Sequence, residues 1–487
     1  MNSRKLMAMF SIVIALSIIL SACGTAATKA TPAKSEQPAA TAANNSDTTT
    51  GGKAKVVIFV GMSTGTTPEQ TKKEEEMAKQ FNDSHPKIEM SFIFVPYEEA
   101  KQRFLTMLAS GNPPQLACPI GAEGISANYE AWQDITSYIQ KDSYDLTDFY
   151  GPTLELHKYA GRLFGLPIGV YPSLVFYNKE VFDAAGIAYP TSDFNDKTWT
   201  MDKLREIAMK LTLDKDGKNA TQPGFNPGDK GENVVQWGYD DSYDGSDLRG
   251  TLTMWDAANK GRPTTADFKK AVVNSEEWTY GFNWLSNGVW KDHFIAPYSI
   301  TQPRDTAGVL PFTDGKTAMF YGHTWWSAEA LPDLKFSYGV APLPFNNKGT
   351  RLERIDGDTC AIPASAKNKE AAWEVEKWLL EPTQMIEYAK IMGYVPARTS
   401  LADTYKTEVL AKVFPDLDAK VLFGAINYLD IPNHESYVPE YSKIRDILTN
   451  TYQALYVGTS KDDPTTLLKT TNDEIQKVLD QYWATHK

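Results

Sequence analysis

Cysteine and histidine are scarce: three and six residues in a chain of 487. No two histidines lie four apart and no H-E-x-x-H occurs, which removes the zinc-hydrolase signature. Basic residues are outnumbered, 49 against 61 acidic, for a formal charge of -12. That balance argues against a nucleic-acid partner, which would want a basic stripe. The "GKT" at Gly315 to Thr317 has Leu310 where a phosphate loop needs its first glycine. Beyond the N-terminus no apolar run is long enough to cross a membrane.

What the chain does have is a basic start at Arg4 and Lys5, an apolar run from Leu6 to Leu20, and then "LSAC". The run is too short and wrongly flanked for a membrane span and reads as a signal peptide over residues 1–22. The "LSAC" ending resembles the lipobox of bacterial lipoproteins, which implies that Cys23 is lipidated and becomes the N-terminus. Cleavage there removes two cations and no acid. Residues 24–52 are mostly Ala, Thr, Ser, Gly, Pro and Asn with no aromatic, so residues 23–52 read as a lipidated cysteine and a flexible tether. Cys118 and Cys360 then remain. They either pair in an oxidising exterior or stay buried thiols.

The body is long enough for two or three domains with cores of their own. "KAKVVIFV" reads as a buried strand, "EQTKKEEEMAKQFND" as a helix with Met77 and Phe81 inward, and "IEMSFIFV" as a second strand. A helix around "EEAKQRFLTMLASG" and a strand "PPQLACPI" continue the alternation, which predicts an α/β domain with a largely parallel sheet. Thr200 caps a helix over "TWTMDKLREIAMKL", and residues 214–233 form a polar surface excursion. Helical stretches are expected from 264 to 290. "YGVAPLP" and "TCAIPAS" read as strands and "KEAAWEVEKWLL" as a helix. The C-terminal helix puts Leu468, Ile475, Leu479 and Tyr482 on one face.

Two short motifs bear on chemistry. "GMSTG" at Gly61 to Gly65 matches G-x-S-x-G, which in an ester hydrolase would make Ser63 a nucleophile. It follows the first strand of the domain, however, where such elbows sit deeper in the sheet, and a ligand-binding loop is the other reading. "DKDGKN" places Asp214, Asp216 and Asn219 as a calcium loop would, but Phe225 stands where the twelfth-position glutamate belongs, so a tight turn is the better reading. No cofactor is implied.

Aromatics are abundant, with 12 Trp and 24 Tyr. "FYGHTWWS" sets Trp325 beside Trp326. Neighbouring side chains diverge on both strands and helices, so the two rings cannot share one core.

In order and spacing, "ASGNPPQL", "LPIGVYPSLVFYNKEVFDAAGI", "TWTMDKLREIAMKLT", "FTDGKTAMFYGHTWW", "YGVAPLP", "DTCAIPASAKNKEAAWE" and "GYVPAR" resemble the extracellular solute-binding proteins of ABC importers, family 1, whose best-known members are maltose-binding proteins. The resemblance covers essentially the whole mature chain. It departs at Gln115, where the family usually has Asp after the proline. It implies a two-lobed α/β fold of the periplasmic-binding-protein type II, with three hinge crossings near residues 168–175, 356–363 and 394–400. Residues 53–170 with 358–395 would form one lobe, and 171–357 with 396–487 the other.

The same resemblance implies the site. A tryptophan after the G-x-x-A-M segment stacks on sugar in relatives, and Trp325 or Trp326 matches it; both rings packing under the next helix is the alternative. Ser63 and Thr64 lie on the first loop, and Glu123 matches an acidic contact after the third strand. Tyr171 lies beside the first crossing, and Asp356 and Asp358 flank the second, where they are hinge hydrogen-bonders or ligand contacts. Tyr243 and Trp255 in the second lobe, Tyr394 and Tyr441 complete the candidates. The implied function is a monomeric, non-enzymatic receptor, anchored by lipid to the outer face of the cell membrane. It would carry a carbohydrate, expected to be an oligosaccharide, to an ABC permease. A non-sugar solute in the same fold and a secreted glycoside or ester hydrolase are the alternatives.

Overall fold

The computed structural model describes residues 49–50, 52–240, 261–297, 311–332, 334–429, 436–460 and 462–486. The signal segment, Cys23, most of the tether, Tyr243 and Trp255 lie outside the described residues.

Nine strands make the main sheet: β1 (Thr49–Thr50), β2 (Lys53–Val60), β3 (Ile88–Phe94), β4 (Leu116–Ile120), β5 (Pro167–Asn178), β6 (Met319–His323), β7 (Tyr338–Ala341), β8 (Ile355–Ala361) and β9 (Val395–Pro396). The order is β1-β2-β4-β8-β5-β6, with β3 on β2 and with β7 and β9 on β5. Only β2 with β3 and β2 with β4 pair in parallel. Every other pairing is antiparallel, so the sheet is mixed rather than largely parallel. The strand–helix alternation holds for the first three long strands. Later strands arrive from distant segments and pair against it.

The local signals behave as expected. Helix α1 (Pro68–Ser84) begins with Thr67 and Gln70 in a reciprocal capping box and buries Met77 and Phe81. Gln115, the departure noted above, is buried. Its side-chain oxygen accepts the Val57 N–H at 3.0 Å while its own N–H donates to the Val57 carbonyl at 3.0 Å. Thr200 caps the helix Met201–Leu211. Residues 264–275, expected to be helical, are turns: Phe268 has a left-handed backbone (φ 58°), and Ser275 starts the helix Glu276–Trp290 by accepting the Trp278 N–H. In the C-terminal helix Pro464–Thr485, Thr471 joins Leu468, Ile475 and Leu479 on the buried face.

Alternation across the strands divides the interior. Val56, Ile58 and Val60 of β2, Leu116 and Cys118 of β4, and Phe176 of β5 face a first core that continues to Phe320 and Val340. Val175, Tyr177, Met319 and Tyr321 face the opposite way, into a second core roofed by the helices Met201–Leu211, Glu276–Trp290, Tyr441–Val457 and Pro464–Thr485. Phe59, Ala117 and Ala361 face a third cluster with Phe104, Trp132 and Phe164. Cys118 and Cys360, left open above, form a disulfide between the adjacent strands β4 and β8.

All twelve residues of β5 are buried. Its first half, to Pro172, pairs with β8, and Val170 and Gly169 also pair with β9. From Ser173 on it pairs with β6 and β7. The change of partner falls at a proline, which has no N–H to donate to a ladder. Gly169 is needed there: a Cβ would stand 2.2 Å from the Tyr394 ring.

Two outcomes follow. Gly169→Ala should lower stability by about 1–3 kcal/mol through overpacking, read as a fall in the denaturation midpoint. The Cys118→Ser/Cys360→Ser double variant should lose about 2–5 kcal/mol in the same measurement, since the crosslink closes a loop with a sequence separation of 242.

Candidate functional site

The carboxyl ends of the parallel strands β2 and β4 lie side by side, bridged at Met62 and Ile120. Gly61 (φ 139°) starts the loop after β2; a Cβ there would meet the Val95 carbonyl at 2.2 Å. The loop turns Ser63 and Thr64 toward β8. Ser63 Oγ donates to Asp358 Oδ1 at 2.6 Å, and Thr64 Oγ1 reaches Oδ2 at 3.4 Å. Tyr171, from β5, donates its hydroxyl to the same Oδ2 at 2.9 Å and lies 3.0 Å from Thr64 Oγ1. Four of the candidates, far apart in sequence, thus share one network.

Asp358 is 2% exposed, and the side chains on its carboxylate are neutral hydroxyls. Burial pushes its pKa up to about 6, with Asp356 adding repulsion, against the lowering effect of the Ser63, Tyr171 and Thr64 hydrogen bonds. Asp356 faces Tyr171 across the strand pair and meets Arg354 Nη2 at 3.2 Å.

Strand β6 ends at His323, and the chain turns through Trp325 into the short helix Trp326–Glu329. The His323 ring is buried, with Nδ1 3.2 Å from the Tyr171 carbonyl and Nε2 3.2 Å from the Tyr321 hydroxyl. Trp325 stacks flat on it at 4.1 Å and takes Tyr171 edge-on at 5.2 Å. One face of the Trp325 ring is therefore covered, while the residue as a whole is only half-buried. Trp326 is also half-buried and buries its Nε1; both tryptophans pack against the first and the second core, so the expectation that the two rings cannot share one core is not met. Glu329 follows one turn after Trp325, its N–H on the Trp325 carbonyl at 3.0 Å. The residue is exposed, and protein atoms gather around its carboxyl. That crowding, with Asp358 as a second cause, raises its pKa to about 7.

The other candidates are placed differently. Tyr394 is buried and donates to the Met385 carbonyl at 3.1 Å, with its ring edge-on to Tyr171 at 5.9 Å. Glu123 opens the helix Ala122–Ser126 after β4 and lies 3.4 Å from Arg445 Nη1 and 3.9 Å from Lys101 Nζ. Tyr441 begins the helix Tyr441–Val457, half-buried against the second core. Asp214 uses Oδ1 to accept the Asp216 and Lys218 N–H groups and Oδ2 to accept that of Asn226, each at 2.9 Å. Asn219 accepts the Thr221 N–H at 3.0 Å. These side chains serve a turn. Among the described residues no group of three or more His, Cys, Asp or Glu is placed to hold a metal ion.

His323, Glu329 and Arg445 were not among the candidates. Glu329 and Arg445 each lie four residues beyond a candidate aromatic on a helical stretch, the spacing that shares a face, and that was the available signal.

A raised carboxyl pKa in the folded state means that stability is fully present below the unfolded value and is lost as pH rises through the folded one. Relative to Asp358→Asn, whose amide cannot ionise, the wild type should therefore lose on the order of 3 kcal/mol of stability between about pH 4 and pH 7. Denaturant melts of both proteins across that range would show it, and a constant difference would refute the assignment.

Residues 76–414 match the family model described as bacterial extracellular solute-binding protein. The mannitol-binding protein of Pseudomonas aeruginosa is 24% identical over 401 residues, 78% of this chain and 82% of its own. Among solved structures, the ABC substrate-binding protein Lmo0181 from Listeria monocytogenes, in complex with cycloalternan, superposes with a TM-score of 0.69 at 21% identity, covering 88% of this chain and 99% of its own. UgpB from Mycobacterium tuberculosis, in complex with glycerophosphocholine, gives 0.69 at 17% identity, covering 88% and 100%. The fold is thus the two-lobed one of those solute-binding proteins, and the chain belongs to the family of bacterial extracellular solute-binding proteins.

Proposed function

We propose that this protein is a lipid-anchored, non-enzymatic receptor that captures a carbohydrate, an oligosaccharide in particular, between its lobes and presents it to an ABC permease. The observation that carries this reading is the half-open Trp325 ring beside the Ser63–Thr64–Tyr171–Asp358 network. A sugar offers an apolar C–H face to such a ring and hydroxyls to the half-buried Ser63 and Thr64 at the edge of that network. The relative named for mannitol and the structure solved with cycloalternan support it. The acidic groups of Asp356, Asp358 and Glu329 weigh against a solute of net negative charge. Ser63 has a carboxylate rather than a histidine as its partner, which favours a binding loop over an acyl-transfer nucleophile.

The exchange of partners along β5 at Pro172 supports one hinge crossing there, with 53–170 plus 358–395 and 171–357 plus 396–487 as lobes. Solute that touches both lobes would then favour the closed form, since only differential contacts shift such an equilibrium.

A thermal-shift screen over linear and cyclic oligosaccharides tests the solute: saturation at about 100 times Kd should add about 2.7 kcal/mol. Trp325→Ala should abolish that shift with little loss of stability, and Trp326→Ala should mainly destabilise, by about 3–5 kcal/mol. Equal, purely structural effects would defeat the stacking role. Sustained product release from glycan or ester panels at catalytic protein concentration would overturn the receptor reading. Cys23→Ser should move the protein out of the membrane fraction.

A further inference from the structure

The second core and the third cluster meet at a place the hinge strand does not account for. Tyr437 belongs to the third cluster, with Phe59, Phe104 and Trp132, whereas Val438 belongs to the second core, with Ile444 and Leu448. The chain thus steps from one to the other within a single peptide. The Tyr437 ring lies flat on Tyr159 at 4.0 Å and edge-on to Tyr129 at 6.0 Å, and it is 8% exposed. Its backbone is left-handed (φ 64°), as is that of Glu440 (φ 54°) at the start of the following helix. Bulky residues keep that conformation only where their surroundings impose it.

A polar row continues the contact. Arg445 Nη1 lies 3.4 Å from both Glu123 carboxylate oxygens, and Lys101 Nζ donates to Ser442 Oγ at 3.1 Å. Phe268, also left-handed, packs against both the second core and the third cluster. Glu123 follows the carboxyl end of β4, the same sheet edge that carries Ser63 and Thr64. The contact therefore spans the side on which the candidate site lies.

We propose that Tyr437 and the Glu123–Arg445 pair form a clasp between the lobes that favours the closed arrangement before any solute binds. It rests on the two-lobed fold and not on which solute is carried. A single partly solvated ion pair contributes little by itself, so the aromatic insertion is the main element and the charges set its register. Opening separates Tyr437 from Tyr129 and Tyr159 and Arg445 from Glu123. A solute therefore enters against the clasp, and closure around it restores the clasp.

Small-angle X-ray scattering of the ligand-free mature chain tests this. The wild type should have the smaller radius of gyration. Tyr437→Ala and Arg445→Gln should each shift it upward at unchanged circular dichroism, and the Glu123→Arg/Arg445→Glu exchange should return it toward the wild-type value. If Tyr437→Ala loses its circular dichroism, Arg445→Gln and the exchange decide the question. Folded variants that scatter like the wild type, or a wild type that is already extended, would overturn the clasp. Neither result depends on solute, so failure here leaves the carbohydrate reading to its own screen.

Discussion

A strand with no solvent-facing side must have its backbone groups paired along both edges, because an orphaned buried N–H or carbonyl costs on the order of 1–3 kcal/mol. Strand β5 meets that demand twice, with β8 and β9 before Pro172 and with β6 and β7 after it. Much else in the molecule follows. The strand joins the two halves of the sheet, it brings Tyr171 opposite Asp356, and its partner β8 brings Asp358 beneath the first loop. Tyr394, held by Gly169 and the Met385 carbonyl, braces the ring that reaches Asp358.

The electrostatics of the site differ from those of an ordinary buried ion pair. Hydroxyls surround Asp358 where a guanidinium would be expected, and hydrogen bonds offset only part of the desolvation. Asp356, two residues earlier on the same strand, has Arg354 instead. Donors that can rotate, rather than a fixed cation, leave the charge of this carboxylate uncompensated by any cation among its hydrogen-bond partners.

Elements governed by local chemistry were legible in the sequence. The β-branched run of β2, the inward Met77 and Phe81 of α1 and the Thr200 cap needed only their neighbours. The helix expected at 264–275 failed because Phe268 is set by a distant packing partner: Trp483 Nε1 donates to its carbonyl at 2.9 Å. Of the candidate site the sequence offered a list of residues, four of which meet in one network, and not an arrangement. Ser63 and Asp358 are 295 positions apart and Glu123 and Arg445 322, and strand register, which decides such meetings, leaves little trace in periodicity. The tryptophan pair shows the same limit. Both rings pack against the same two cores, which backbone geometry alone did not suggest, and that Trp325 is the one beside Tyr171 depends on where His323 lies.

Strand β8 lies in the middle of the sheet, between β4 and β5, yet the ribosome makes it long after both. Until residue 361 has been synthesised, β4 and the first half of β5 have no neighbour to bridge them, so an emerging N-terminal fragment cannot complete its own sheet. Pairings between such distant segments form slowly. Completion of the sheet is therefore a late event in synthesis, and the strands made earlier spend much of it without the neighbour that joins them.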